Sequence, residues 1–212
     1  MFDAIASRYE LVNTLMTFGL DGRWRRRAVS DLRLAPRSLI LDVAAGTGDF
    51  ARELHHQGQR AVATDLSYNM LATARAVRER VQADASKLPF RSASFDGITC
   101  GYALRNFTDL QATFAEMARV LRPGGRLSLL EVAEPTAGPW RAGFRLWFRQ
   151  VVPFIGSLVS DRAAYHYLPA STAYLPASGE IVAMLNRAGF SAVNHRKVMG
   201  GLNQQFLATR TT

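Results

Sequence analysis

The sequence predicts an α/β fold built on a mostly parallel sheet that ends in an antiparallel hairpin. Three observations support this. Short apolar runs such as residues 38–43 (SLILDV) lack the alternation of a half-exposed strand and read as strands buried on both faces. Each is followed by a turn and a stretch of helical period, the pattern of a parallel sheet covered by helices. The last two strand-like segments, 191–198 and 202–209, are joined by Met199-Gly200-Gly201, a link too short for a parallel crossover.

The elements follow in order. Phe2, Ile5, Ala6 and Tyr9 recur at helical spacing, and Gly19 ends that run. Asp21 is placed to cap a second helix through Trp24, Ala28 and Leu32, stopped by Pro36. The first strand, 38–43, leads through a glycine loop to a helix over 49–57. A strand over 60–64 ends at Asp65, and Ser67 caps a helix bearing Met70, Leu71 and Ala74. Residues 81–83 form a short strand ending at Asp84, and 95–100 another. Leu110, Phe114, Met117, Ala118 and Leu121 mark an amphipathic helix closed by Pro123-Gly124-Gly125. A strand over 126–133 follows, then an aromatic, helical stretch too long for a plain connection. A helix over 179–188 precedes the hairpin.

Length and composition set bounds. A chain of 212 residues suits one domain. It divides into a helical cover (1–35), a sheet core (36–134), a helical insertion (135–177) and a closing helix with hairpin (178–212). Apolar residues make up 48% and charged residues 20%, which excludes a disordered chain. The single cysteine, Cys100, excludes an internal disulfide or a multi-cysteine zinc site. No spacing suits a metal, so none is expected. The net charge is +9, and every basic residue except Lys87 and Lys197 is arginine. Such a surface favours an anionic partner: nucleic acid, an acidic substrate or a membrane. The arginines are scattered and no nucleic-acid motif is present, so nucleic acid is not expected. No signal-peptide pattern or apolar run of about 18 residues is visible, which predicts a cytoplasmic protein.

The most informative segment is Asp42-Val43-Ala44-Ala45-Gly46-Thr47-Gly48-Asp49-Phe50-Ala51, between the first strand and its helix. The glycines allow a tight turn and close approach of a ligand. The pattern alone also satisfies a dinucleotide fingerprint or a purely steric turn. Asp49 lies where a pyrophosphate would sit, and a carboxylate there repels one. Asp42 adds to the negative charge, so a cationic ligand fits better. Asp65 lies 17 residues past Gly48, at the place of a carboxylate that accepts ribose hydroxyls. Asp84, beside Ala85, is placed to read an adenine amino group.

This constellation resembles the S-adenosyl-L-methionine pocket of Rossmann-like class I methyltransferases. Outside the pocket the resemblance narrows. Phe2-Asp3, Ile5-Ala6, Arg8-Tyr9, Asn13, Gly19-Leu20-Asp21 and Arg23 to Arg26 resemble the amino-terminal signature of the quinone-biosynthesis C-methyltransferases. Leu88-Pro89-Phe90, Phe95-Asp96, Leu104-Arg105-Asn106, the run from Arg119 to Arg126, Tyr165, Tyr167-Leu168 and Pro176 are similar to that family too. The sequence departs from the pattern at two places. Tyr102-Ala103 stands where the family has Phe-Gly, preceded by Gly101 where a serine can touch the cofactor. Asn203-Gln204-Gln205-Phe206 stands where the tail is apolar and ends in histidine.

The resemblance implies S-adenosyl-L-methionine-dependent methylation of a ring carbon in an isoprenoid quinol precursor, demethylmenaquinol first among them. The alternatives are another phenolic acceptor or a non-catalytic relative that binds cofactor. It implies that Asp42, Ala44, Gly46, Thr47, Gly48, Asp65, Leu66, Met70, Asp84, Ala85 and Gly101 hold the cofactor. Tyr9, Asn13, Tyr102, Tyr165 and Tyr167 are candidates for the quinone side. Arg105 and Asn106 are the candidate catalytic pair. Arginine holds its proton, so Arg105 suits stabilising a developing phenolate better than acting as base. A surface pair with Asp109 is its structural alternative. Arg141, Arg145 and Arg149 flank an aromatic stripe, which suits either a lid helix or peripheral contact with an anionic membrane. The cluster from Arg23 to Arg27 reads as a solvated helix end. Oligomeric state is left open, a homodimer included.

Overall fold

The computed structural model describes residues 19–133, 175–198 and 201–211. In chain order its elements are α1 (Asp21–Ser30), β1 (Leu39–Val43), α2 (Asp49–His56), β2 (Arg60–Asp65), α3 (Tyr68–Thr73) and β3 (Glu79–Gln82). They continue with β4 (Phe95–Gly101), a 3-10 turn (Leu104–Asn106), α4 (Leu110–Val120), β5 (Leu121–Val132), α5 (Ser178–Arg187), β6 (Phe190–Val198) and β7 (Asn203–Arg210). The seven strands form one sheet in the order β3-β2-β1-β4-β5-β7-β6. The pairs among β1 to β5 are parallel, and β7 runs antiparallel to both β5 and β6. The predicted fold class is therefore the observed one.

Strand periodicity divides the core between the two faces of the sheet. Leu41, Ile98, Leu127 and Leu129 pack with Phe114, Met117, Ile181 and Leu185 of α4 and α5. Ile40, Ala61, Ala63 and Leu130 pack with Ala28 and Leu54 of α1 and α2. Adjacent residues such as Ile40 and Leu41 thus serve opposite layers. The order reverses between β1 and β4: the chain leaves β1 towards β2 on one side and returns to β4 on the other. Ligands of open α/β sheets bind at the carboxyl ends of strands beside such a switch point.

Three element boundaries differ from the sequence reading. Asp21 does not cap α1; the N-cap is Leu20, and the Asp21 carboxylate is held by Arg25 one turn on. The helix stops at Ser30, yet Leu32 is still buried, because Asp31 closes the helix and turns the chain back. β5 begins at Leu121, directly after α4, rather than at 126. Its pairing jumps from Phe95↔Leu121 to Gly97↔Arg126, so Arg122-Pro123-Gly124-Gly125 bulge from the ladder, with Gly124 at φ +76°. Ser67 does cap α3, its hydroxyl accepting from Met70 N at 3.1 Å. The insertion over 135–177 lies almost wholly outside the described residues, as do its arginine stripe and Tyr165 and Tyr167. Tyr9 and Asn13 lie outside them too. Among the described residues no helix is long and apolar enough to cross a membrane.

Candidate active site

One elongated cavity follows the carboxyl edge of β3, β2, β1 and β4. Asp84 and Ala85 stand at one end; Asp65, Gly46 and Thr47 follow; Gly101, Tyr102 and Asn106 stand at the other. Asp42, Ala44, Leu66 and Met70 also line it. Twelve candidates named from the sequence therefore meet around one space. Gly48 and Arg105 are not among the lining residues.

The floor is the loop between β1 and α2. Ala44 and Gly46 take φ of +53° and +55°, a left-handed path that turns the chain tightly along the cavity. Gly48, at φ +85°, is the N-cap of α2. A Cβ there would lie 3.0 Å from Ala74 Cβ and 3.1 Å from Val77 Cγ2. Its work is to seat the loop against the segment after α3. Asp65 braces the loop as well as facing the cavity: Oδ2 accepts from Gly46 N and Oδ1 from Ser67 N, both at 2.8 Å. Asp65 thus holds the loop and lines the cavity at once. Asp84 Oδ1 accepts from both Ser86 N and Ser86 Oγ, which lowers its carboxyl below the usual range and keeps it ionised.

Asp42 behaves differently from the sequence expectation. It is fully buried, with Oδ2 accepting from Ala51 N at 3.1 Å and Oδ1 from Thr99 Oγ1 at 2.9 Å. Burial pushes its pKa up to about 7, which favours the protonated form far more than in an exposed aspartate. The negative charge of Asp49 is also met, by Arg25 and Arg52. The acids at this edge thus present less net charge than counting carboxylates suggests.

Arg25 escaped the sequence reading. It belongs to a run of arginines that looked uniformly solvated, but its side chain is only 11% exposed and lines the cavity. Phe50, Thr64, Ser86 and Thr113 line it as well. The hydroxyl of Thr64 is buried with no partner among the described residues. Gly101 is demanded by packing, because a Cβ there would strike the ring of Phe50. A serine hydroxyl at this point is excluded while Phe50 keeps its place.

Arg105 is tied to the sheet. Its guanidinium pairs with Glu131 of β5, and the two side chains are 5% and 0% exposed. Glu131 Oε2 also accepts from Leu104 N, and Oε1 from Val132 N, each at 2.9 Å. Asp109, the alternative partner weighed from sequence, instead caps α4 by accepting from Ala112 N. Glu131 thus pins the Leu104–Asn106 turn so that Asn106 reaches the cavity. Its apolar neighbours, Leu129, Leu130 and Val132, disguise it in the sequence.

The model of the ubiE/COQ5 methyltransferase family matches residues 1–210. The chain belongs to the ubiE/COQ5 methyltransferase family. The ubiquinone/menaquinone biosynthesis C-methyltransferase of Syntrophotalea carbinolica is 43% identical over 212 residues, covering 95% of this chain and 89% of that protein. The demethylmenaquinone methyltransferase of Thermus thermophilus is 45% identical over 203 residues, covering 90% and 91%. A SAM-dependent methyltransferase of Thermotoga maritima superposes with a TM-score of 0.69 at 18% identity, covering 98% of this chain and 97% of its own. A Haemonchus contortus phosphoethanolamine N-methyltransferase bound to S-adenosyl-L-methionine gives 0.66 at 15% identity, covering 100% and 60%. At such identities these two structures establish the fold. No cluster of three or more potential metal ligands occurs among the described residues.

Proposed function

We propose that this chain transfers the methyl group of S-adenosyl-L-methionine to a ring carbon of an isoprenoid quinol precursor, with demethylmenaquinol as the acceptor. The observation behind this reading is the match of family and cavity: a ubiE/COQ5 family chain has its acids and its glycine loop along one sheet edge. The donor set fits the cofactor. Asp65 accepts the ribose hydroxyls, Asp84 with Ala85 reads the adenine edge, and Leu66 and Met70 supply apolar walls for the ring.

When bound, S-adenosyl-L-methionine supplies an activated methyl group on a sulfonium, so the protein contributes mainly position. Asn106, on a turn locked by Glu131, presents its amide at the acceptor end. Arg105 holds its charge behind that turn and favours the anionic form of a ring oxygen. Tyr9, Asn13, Tyr165 and Tyr167 complete the quinone side. The isoprenoid tail makes the acceptor a lipid, and peripheral contact through Arg141, Arg145 and Arg149 brings the enzyme to it.

Calorimetric titration with S-adenosylhomocysteine, followed by methyl transfer to demethylmenaquinol and to a demethylated ubiquinol precursor, tests the reading. Saturable binding with transfer to demethylmenaquinol is expected. No binding refutes the cofactor assignment, and binding without transfer to either quinol refutes the substrate.

A further inference from the structure

The two places where the sequence reading marks a departure from the family pattern meet in space. Tyr102 Oη, at the end of β4, lies 2.8 Å from Asn203 Nδ2, at the start of β7. Both residues are buried, Asn203 to 1% exposure. The orientation of the Asn203 amide is fixed by its other contact: Oδ1 accepts from Gln204 N at 2.9 Å. The nitrogen therefore faces the phenol. An amide nitrogen has only protons to give, so the phenol oxygen is the acceptor. The phenol's own proton is then directed elsewhere, and Tyr102 lines the cavity between Gly101 and the Leu104–Asn106 turn.

The backbone points the same way. Tyr102 takes φ +58°, a left-handed conformation that is strained for a non-glycine residue. Such strain persists where the surroundings enforce it, and here Leu130 O receives the Tyr102 N–H at 2.7 Å. The charged groups whose fields reach the phenol are Arg25 and Asp21 on α1 and Glu131 on β5. Burial raises the hydroxyl's pKa far above the ordinary tyrosine value, so it keeps its proton.

We propose that Tyr102 donates a hydrogen bond to a ring oxygen of the methyl acceptor, and that Asn203 is the positioning residue that fixes it as a donor. This rests on the reading of the cavity as a quinol methylation site. The proton stays on Tyr102 throughout. The bond strengthens as the ring oxygen becomes anionic, since a charged acceptor holds a donor more tightly. An acceptor oxygen at that position is thereby selected over an analogue that lacks it.

Three variants test this: Tyr102→Phe, Asn203→Val and the two combined. Each single change leaves a buried polar group without its partner and lowers the thermal midpoint. The double change removes both partners of this bond and restores part of the midpoint, the Gln204 N contact remaining lost. Turnover of demethylmenaquinol falls roughly tenfold to a hundredfold in Tyr102→Phe and stays equally low in the double variant. Affinity for S-adenosylhomocysteine stays within about twofold of the parent. Recovery of turnover along with the midpoint in the double variant overturns the proposal, because the pair is then only structural. A fall in S-adenosylhomocysteine affinity that matches the loss of turnover also overturns it, by assigning the donor to the cofactor. Parent turnover is the control: its absence refutes the substrate reading, whereas its presence with unchanged Tyr102→Phe turnover refutes this assignment alone.

Discussion

Arg25 of α1 lies 3.2 Å from Asp49, the first residue of α2. The pair joins the amino-terminal helix to the loop that forms the cavity floor, and the Asp21 carboxylate holds the same guanidinium from behind. Arg25 also lines the cavity, where its guanidinium can meet a ligand carboxylate. Arg25→Met should weaken S-adenosylhomocysteine about tenfold or more while leaving 5′-methylthioadenosine, which lacks the amino-acid group, nearly unchanged. Parallel titrations with the two ligands measure this. Equal losses would mean that Arg25 acts only by holding the loop.

The buried carboxyl of Asp42 gives the fold a pH signature. Its pKa rises from 3.8 to about 7 on folding, chiefly through desolvation. Between those values the folded chain keeps a proton that the unfolded chain has released. Stability from this group is therefore greatest below about pH 4 and declines as pH rises towards 7. In Asp42→Asn the carboxyl is replaced by a neutral amide that keeps an acceptor for Ala51 N or Thr99 Oγ1 and cannot ionise. Its stability relative to the parent should improve from about pH 4 towards pH 7 and then level off. Urea unfolding across that range gives the difference directly, and a constant difference would contradict the assignment.

Glu131→Ala should be among the costliest single changes in the chain. It removes Glu131 from the buried Arg105 guanidinium and leaves Leu104 N without its acceptor. Breaking a buried ion pair from one side costs about 3–5 kcal/mol. Replacement by Gln keeps an acceptor and should cost less. Chemical denaturation of the two variants orders them, and quinol turnover should fall in both, because Asn106 rides on the same turn.

Gly101→Ala tests a steric claim. The added methyl meets the Phe50 ring, so the variant should lose about 1–3 kcal/mol of stability. Phe50→Leu in the same chain should recover part of that loss. Thermal unfolding of single and double variants reads the coupling, and additive losses would exclude the clash as the cause.

What could be read from the sequence was what period and spacing encode. The strand ends at Asp65 and near Asp84 follow from short apolar runs that stop at acids, and the structure places both beside the loop. The antiparallel hairpin followed from the length of its link. Arg25 could not be singled out, because nothing in Arg23 to Arg27 distinguishes one arginine from the next. Packing of α1 on α2 does so: Arg25 is 11% exposed, whereas Arg26 and Arg27 are 71% and 68%. Glu131 was hidden for a related reason. Its partners, Leu104 and Arg105, lie more than 25 residues away and reach it only because β4 and β5 are neighbours. The contact between Tyr102 and Asn203 spans an even longer stretch of chain, so each departure from the family pattern looked independent.

The order of strands has a consequence for biosynthesis. β7 follows β6 in the chain but lies inside the sheet, between β5 and β6. While the ribosome is still making the hairpin, β5 has one edge unpaired and β6 has no neighbour. An open edge of this kind is a template for pairing with another nascent chain. The apolar residues Leu127, Leu129 and Leu130 lie along it, so the interval before β7 emerges is the period when this protein most needs a chaperone.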